Sequence, residues 1–150
     1  MRKILLRFWK LLPNSYRLRR FIVWLVNQKF LVGIVGIVLS EENEILLLEH
    51  SYRNEYPWGL PSGWLEKGEQ PTTALKREIS EETGFEVEIV KSVEQYADPN
   101  YARLDLIYIC RITGGDFTPS DEISSASFYP KDNLPKLIPH QVSLINSSVE

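Results

Sequence analysis

The run from Gly63 to Phe85 constrains this chain more than any other stretch. It reads as a glycine-containing loop that enters a short helix near Pro71 and stops at Gly84. Within that helix Glu78, Glu81 and Glu82 follow the i, i+3, i+4 spacing, and at about 100° per residue this gathers three carboxylates on one face. Like charges so placed cost a helix a few tenths of a kcal/mol, so the face is either simply solvated or holds a cation. Carboxylate oxygens are hard ligands suited to Mg²⁺ or Mn²⁺, and the stretch has no His or Cys to favour zinc. Thr72 and Thr73 are candidate caps, and Ala74, Leu75, Ile79 and Phe85 supply apolar contacts, with the charged residues expected to face away.

The flanking residues decide between solvent and cation. Gly63, Glu69, Arg77, Glu78, Ile79, Glu81, Glu82, Gly84 and Phe85 fill every specified position of the pattern GX5EX7REUXEEXGU, where U is a bulky apolar residue. By ordinary composition such a match arises at a given start with odds on the order of one in 10⁸. The stretch resembles the signature of the Nudix hydrolases. That resemblance implies an α/β (α+β) fold, an α/β/α sandwich around a mixed β-sheet. It also implies Mg²⁺-dependent hydrolysis of a pyrophosphate linkage, with Mn²⁺ as an alternative ion. Glu81 and Glu82 would be the principal metal ligands, Glu78 a further ligand or the base, Arg77 the residue that orients them, and Glu69 an auxiliary carboxylate. The residue before the first glycine, Ser62 here and often Gly in the family, would offer its backbone carbonyl to the metal. A φ above zero at that position would strain a serine. Asp121-Glu122-Ile123 ahead of Phe128-Tyr129 resembles a late loop that supplies an extra carboxylate, which makes Glu122 a candidate ligand or base. The resemblance extends over about residues 30–147, the Trp-Gly-Leu-Pro lead-in at 58–61 included.

Charge divides the chain in two. Residues 1–30 contain eight Lys or Arg and no acid, while the remaining residues hold nine basic against twenty acidic side chains, so an arm of +8 precedes a body of −11. Residues 1–12 carry apolar side chains at helical spacing, and Pro13 to Ser15 separates them from a second helix expected from Ser15 to about Asn27. The expected domain division is therefore a basic helical extension, 1–29, and a catalytic domain, 30–150. The arm could dock on its own domain, join two copies into a homodimer, or lie on an anionic membrane surface or RNA. Phe21 to Leu39 is long enough to suggest a membrane span, but Lys29 at its middle opposes one. The single Cys110 lies in an apolar run and forbids an intrachain disulfide, which fits a reducing, cytoplasmic setting.

Phe30 to Leu39 and Ile45 to Glu49 read as strands that form a hairpin across a polar turn. Further strands are expected at 86–96, 104–112 and 126–129, and a final helix at 136–147. Arg53 is a candidate for a substrate phosphate, and Trp58 and Tyr101 are candidates to stack a base. His50 is expected to be structural. The substrate expected is a small nucleotide, ADP-ribose or a nucleotide sugar in the first place. Dinucleoside polyphosphates, nucleoside triphosphates and RNA 5′ ends are alternatives; the resemblance implies a specificity marker about sixteen residues past Phe85, and Pro99 at fourteen and Tyr101 at sixteen point to different subfamilies. A non-catalytic binding module of the same fold is the further alternative, against which the intact carboxylate set argues.

Overall fold

The computed structural model of the chain describes residues 15–149, and the helix expected over 1–12 lies outside them. Ser15 caps α1 (Tyr16–Val26) by accepting a hydrogen bond from the Leu18 amide, and Asn27 closes its other end. Strand β1 (Leu31–Leu39) follows, then β2 (Ile45–His50), β3 (Trp58–Gly59), β4 (Ser62–Trp64) and α2 (Pro71–Thr83). The chain continues through β5 (Glu86–Ala97), β6 (Arg103–Gly114), β7 (Ile123–Tyr129), a 3₁₀ turn at Lys131–Asn133 and α3 (Pro139–Ser148).

These strands form one mixed sheet in the order β3-β2-β1-β6-β5, with β4 paired to β1 and β7 to β2. Strand β1 runs parallel to β6 in unbroken register from Leu31↔Arg103 to Leu39↔Arg111, and the other pairings are antiparallel. Burial on both faces explains the near-continuous apolar run of β1. Val35, Ile37 and Leu39 face a core completed by Leu144 and Ile145 of α3, whereas Ile34 and Val38 face Ala74, Leu75 and Ile79 of α2. Cys110 is buried in this second core, where desolvation pushes its thiol up to about 12. The result is the expected sandwich of helix, mixed sheet and helix.

The hairpin expected between β1 and β2 is reduced to one register pair, Leu39↔Ile45. Beyond it β2 pairs with β7, and β4 takes the vacated edge of β1 through Gly33↔Trp64, Ile34↔Gly63 and Val35↔Ser62. This exchange brings the start of the motif loop against the central strand. Ser62 therefore has ordinary extended backbone; among described non-glycine residues only Asn43 has a positive φ. The termini of α2 also differ from expectation. Gln70 occupies the N-cap with no side-chain hydrogen bond, so Thr72 and Thr73 do not cap, and Gly84 ends the helix at φ 78°. No described helix is long and apolar enough to cross a membrane.

Candidate active site

Helix α2 is held by its apolar side, Leu75 and Ile79 being fully buried against the sheet, and this aims the opposite side at β4 and the loop before β7. The carboxylates do not all face solvent as expected. Glu82 is turned inward, and its Oε2 has no hydrogen-bond partner among the described residues. Burial first, then the neighbouring charge of Glu78, push its pKa up to about 8, with the Ser62 backbone amide opposing the shift. Glu78 lies under Gly63. A Cβ at position 63 would stand 2.1 Å from Glu78 Cδ, so only glycine lets the loop close over this carboxylate. Glu78 Oε1 also accepts from the Trp64 amide at 3.3 Å.

Arg77 is the hub of the helix face. Its Nε and Nη2 donate to both oxygens of Glu69 at 3.1 Å, a bidentate pair, while Nη1 lies 3.1 Å from Glu78 Oε1 and from Glu81 Oε2. That pair holds the Glu69 carboxyl below its ordinary pKa. Glu69 is thus the anchor of Arg77 and does not line the cavity described next. Glu78 and Glu81 are shared by one guanidinium, and among the described residues no three His, Cys, Asp or Glu side chains stand as a ready-made metal cluster.

One cavity of about 680 Å³ gathers Ser62, Gly63, Glu78, Glu81, Glu82 and Glu122 with Arg53 and Arg103. Glu122 comes from the loop just ahead of β7, tied to the end of β2 because its carbonyl accepts from the Ser51 amide. The charges of Glu122 and Arg53 are both felt at Glu82, the first raising and the second lowering its pKa. The donor chemistry suits a divalent cation: a buried, unpartnered carboxylate oxygen, further carboxylates beside it, and a glycine that makes room for one of them.

Two of the expected base-stacking residues are elsewhere. Trp58 packs into the core edge-on to Tyr129, ring centroids 5.3 Å apart, and Tyr101 is 74% exposed in the β5–β6 loop outside the cavity. The aromatic that does line the cavity is Trp64, with Arg103 lying 4.9 Å over its ring. His50, expected to be structural, is buried in the cavity wall with neither ring nitrogen hydrogen-bonded among the described residues. Desolvation, and then Arg53, lower its pKa to about 4. Arg103 and Asp105, two apart on β6, form an ion pair of 2.7 Å. Their i, i+2 spacing on one strand face was the available signal for that pair, whereas nothing along the chain distinguishes Trp64 from Trp58.

The family profile for the NUDIX domain matches residues 29–146. An 8-oxo-dGDP phosphatase of Homo sapiens is 34% identical over 130 residues, covering 82% of this chain and 37% of the relative. An ADP-ribose pyrophosphatase of Methanocaldococcus jannaschii is 32% identical over 112 residues, 71% of this chain and 65% of the relative. The chain thus spans about a third to two thirds of the length of these curated relatives. Among solved structures, an ADP-ribose pyrophosphatase of Streptococcus suis superposes with a TM-score of 0.65 at 25% identity, covering 77% of this chain and 89% of that one. A UDP-X diphosphatase, 22% identical with a TM-score of 0.68 over 96% of this chain and 76% of its own, supports the fold. With a complete signature running from β4 through α2 and a profile match over most of its length, the chain belongs to the Nudix hydrolase family.

Proposed function

We propose that the chain hydrolyses the pyrophosphate linkage of a nucleoside diphosphate derivative, with Mg²⁺ or Mn²⁺ held by Glu78, Glu81 and Glu82 and by the backbone carbonyl of Ser62. The observation that carries this is Glu82, whose buried and unpartnered oxygen faces further carboxylates in a cavity that also presents Arg53. When bound, such an ion acts as a Lewis acid and lowers the pKa of a coordinated water. The chain supplies the remaining functions. Glu122 or Glu78 accepts the proton of the attacking water, Arg53 offsets phosphate charge, and Arg77, anchored by Glu69, holds Glu78 and Glu81 in position.

ADP-ribose or a nucleotide sugar is the leading substrate class, supported by the activity named for two of the similar proteins. An oxidised purine nucleoside diphosphate is the second, supported by the relative that shares 34% identity. The test is a panel of ADP-ribose, a nucleotide sugar, 8-oxo-dGDP, a nucleoside triphosphate, a dinucleoside polyphosphate and capped RNA, each incubated with Mg²⁺. Product from at least one is expected. No product from any, or a Glu82→Gln variant as active as the parent, would overturn the proposal.

The arm supports an added role on an anionic bilayer. Helix α1 buries none of its residues, exposes Phe21, Trp24 and Leu25, and carries Arg17, Arg19 and Arg20 without an acid. Salt-sensitive binding to vesicles containing phosphatidylserine, lost on deletion of residues 1–29, is expected. Binding to RNA in place of vesicles would reassign the partner.

A further inference from the structure

We propose that Arg103, fixed between Asp105 and Trp64, is a second phosphate-binding subsite of the cavity, reaching the nucleotide from the β6 side while Arg53 approaches from the β2–β3 side. This deepens the reading of the cavity as a nucleoside diphosphate site and rests on it.

Three observations build the subsite. Asp105 is 3% exposed, and its Oδ1 takes the Arg103 Nε at 2.7 Å, so the buried carboxylate holds the near edge of the guanidinium and leaves the Nη groups for another partner. The Arg103 Cζ lies 4.9 Å from the centroid of the Trp64 ring, a second contact that restrains the guanidinium. Gly33 of β1, in register with both Trp64 and Asp105, provides the room: a Cβ there would stand 2.1 Å from Asp105 Oδ1 and 3.4 Å from Arg103 Nη2. Four strand positions on three adjacent strands thus converge to hold one guanidinium that lines the cavity. A surface arginine that served only solubility would need neither a buried carboxylate nor a glycine beneath it. A fixed planar fork is the form in which arginine recognises phosphate oxygens in pairs. Glu78, Glu81, Glu82 and Glu122 are all anionic ligand candidates, so a polyphosphate needs cations of the chain's own on more than one side.

The experiment measures ADP binding in the presence of Mg²⁺ by calorimetry on the full chain, with steady-state kinetics on whichever panel substrate the parent turns over. Arg103→Met is expected to raise Kd for ADP and KM roughly 10–100-fold, with kcat kept within about threefold. Arg103→Lys restores only part, because an ammonium lacks the fork. Asp105 is a positioning residue, so Asp105→Asn raises KM with kcat retained although the guanidinium is still present. Circular dichroism on each variant separates this from misfolding. A parent that fails to bind ADP, an Arg103→Met variant with unchanged Kd, or equal falls in kcat and kcat/KM would overturn the subsite. Arg103-dependent ADP binding by a chain that hydrolyses nothing would leave the subsite standing while the hydrolytic reading fails.

Discussion

Helix α1 closes both ends with side chains and has no buried residue, whereas α2 has no side-chain cap at its N-terminus and buries Ala74, Leu75, Ile79 and Thr83. Local signals are better in the first helix, and the carboxylates of the candidate site are in the second. The magnitudes explain why. A side-chain cap contributes about 1 kcal/mol, and full burial of a Leu or Ile contributes about 1.5–3 kcal/mol. Two such residues outweigh several unfavourable carboxylate contacts at a few tenths of a kcal/mol each. Packing thus lets α2 carry Glu78, Glu81 and Glu82 together and still hold its place on the sheet. Helix α1, of 11 residues with none buried, is near the length at which an isolated helix is marginal in water.

That contrast can be broken most forcefully at Glu82. Replacement by Gln is expected to lower turnover at least about 100-fold while stabilising the fold at high pH, by up to a few kcal/mol. The sign follows from the pKa, which folding raises from an ordinary 4.5 to about 8. The folded state is favoured fully below pH 4.5, and that advantage is lost as pH rises through 8. Thermal melts without added metal should therefore show the variant more stable than the parent at pH 8–9 and alike at pH 4.5. A variant less stable at pH 9 would show that Glu82 is a structural member of α2 and not a charge carried at a cost.

Gly63→Ala sharpens the comparison from the loop side. The new Cβ would collide with Glu78, so a loss of about 1–3 kcal/mol in stability is expected together with most activity. Activity and melting temperature near those of the parent would mean that the loop yields and that α2 alone sets the site.

An effect of similar size on stability, confined to acid pH, is expected at His50, which lines the same cavity. Its folded pKa of about 4, below the ordinary 6.5, means that stability is intact above pH 6.5 and is lost as pH falls through 4. His50→Gln should remove on the order of 1–3 kcal/mol of that acid sensitivity in denaturant titrations at pH 4 against pH 7. Identical acid sensitivity in the two proteins would rule out His50 as its source.

The smallest change belongs to α1. Phe21→Ser with Trp24→Ser should leave the domain within about 0.5 kcal/mol of the parent, because neither side chain is buried. A cooperative loss beyond about 2 kcal/mol would mean that α1 packs on the domain as α2 does.

Much of the candidate site was legible because it is written in residues close along the chain. Arg77, Glu78, Glu81, Glu82 and Gly84 lie within a few turns of one helix, where sequence interval and spatial neighbourhood coincide. Glu122 was legible only through resemblance, since the β2–β7 pairing that carries it to the cavity joins distant parts of the chain. Two tryptophans of one lead-in, Trp58 and Trp64, have the same chemistry on paper, yet one turns into the core and the other into the cavity. The expected hairpin is present, but its pairing stops at Leu39↔Ile45 for a related reason. A polar turn between two apolar runs is compatible with a single bridging pair, and the partner of each strand is chosen by competition with β4, β6 and β7.

By itself the sequence determined the loop and helix of Gly63–Phe85, the apolar run of β1, the buried Cys110 and the basic character of the arm. Each depends on residues close along the chain or on composition. The tertiary structure alone decided that Glu82 is turned inward beside Glu122, that Glu69 serves Arg77, and that Gly33, Trp64, Arg103 and Asp105 meet on adjacent strands. Those contacts depend on strand register and on which helix face the core claims. Both are settled by burial summed over the whole sheet and cannot be read from any single stretch.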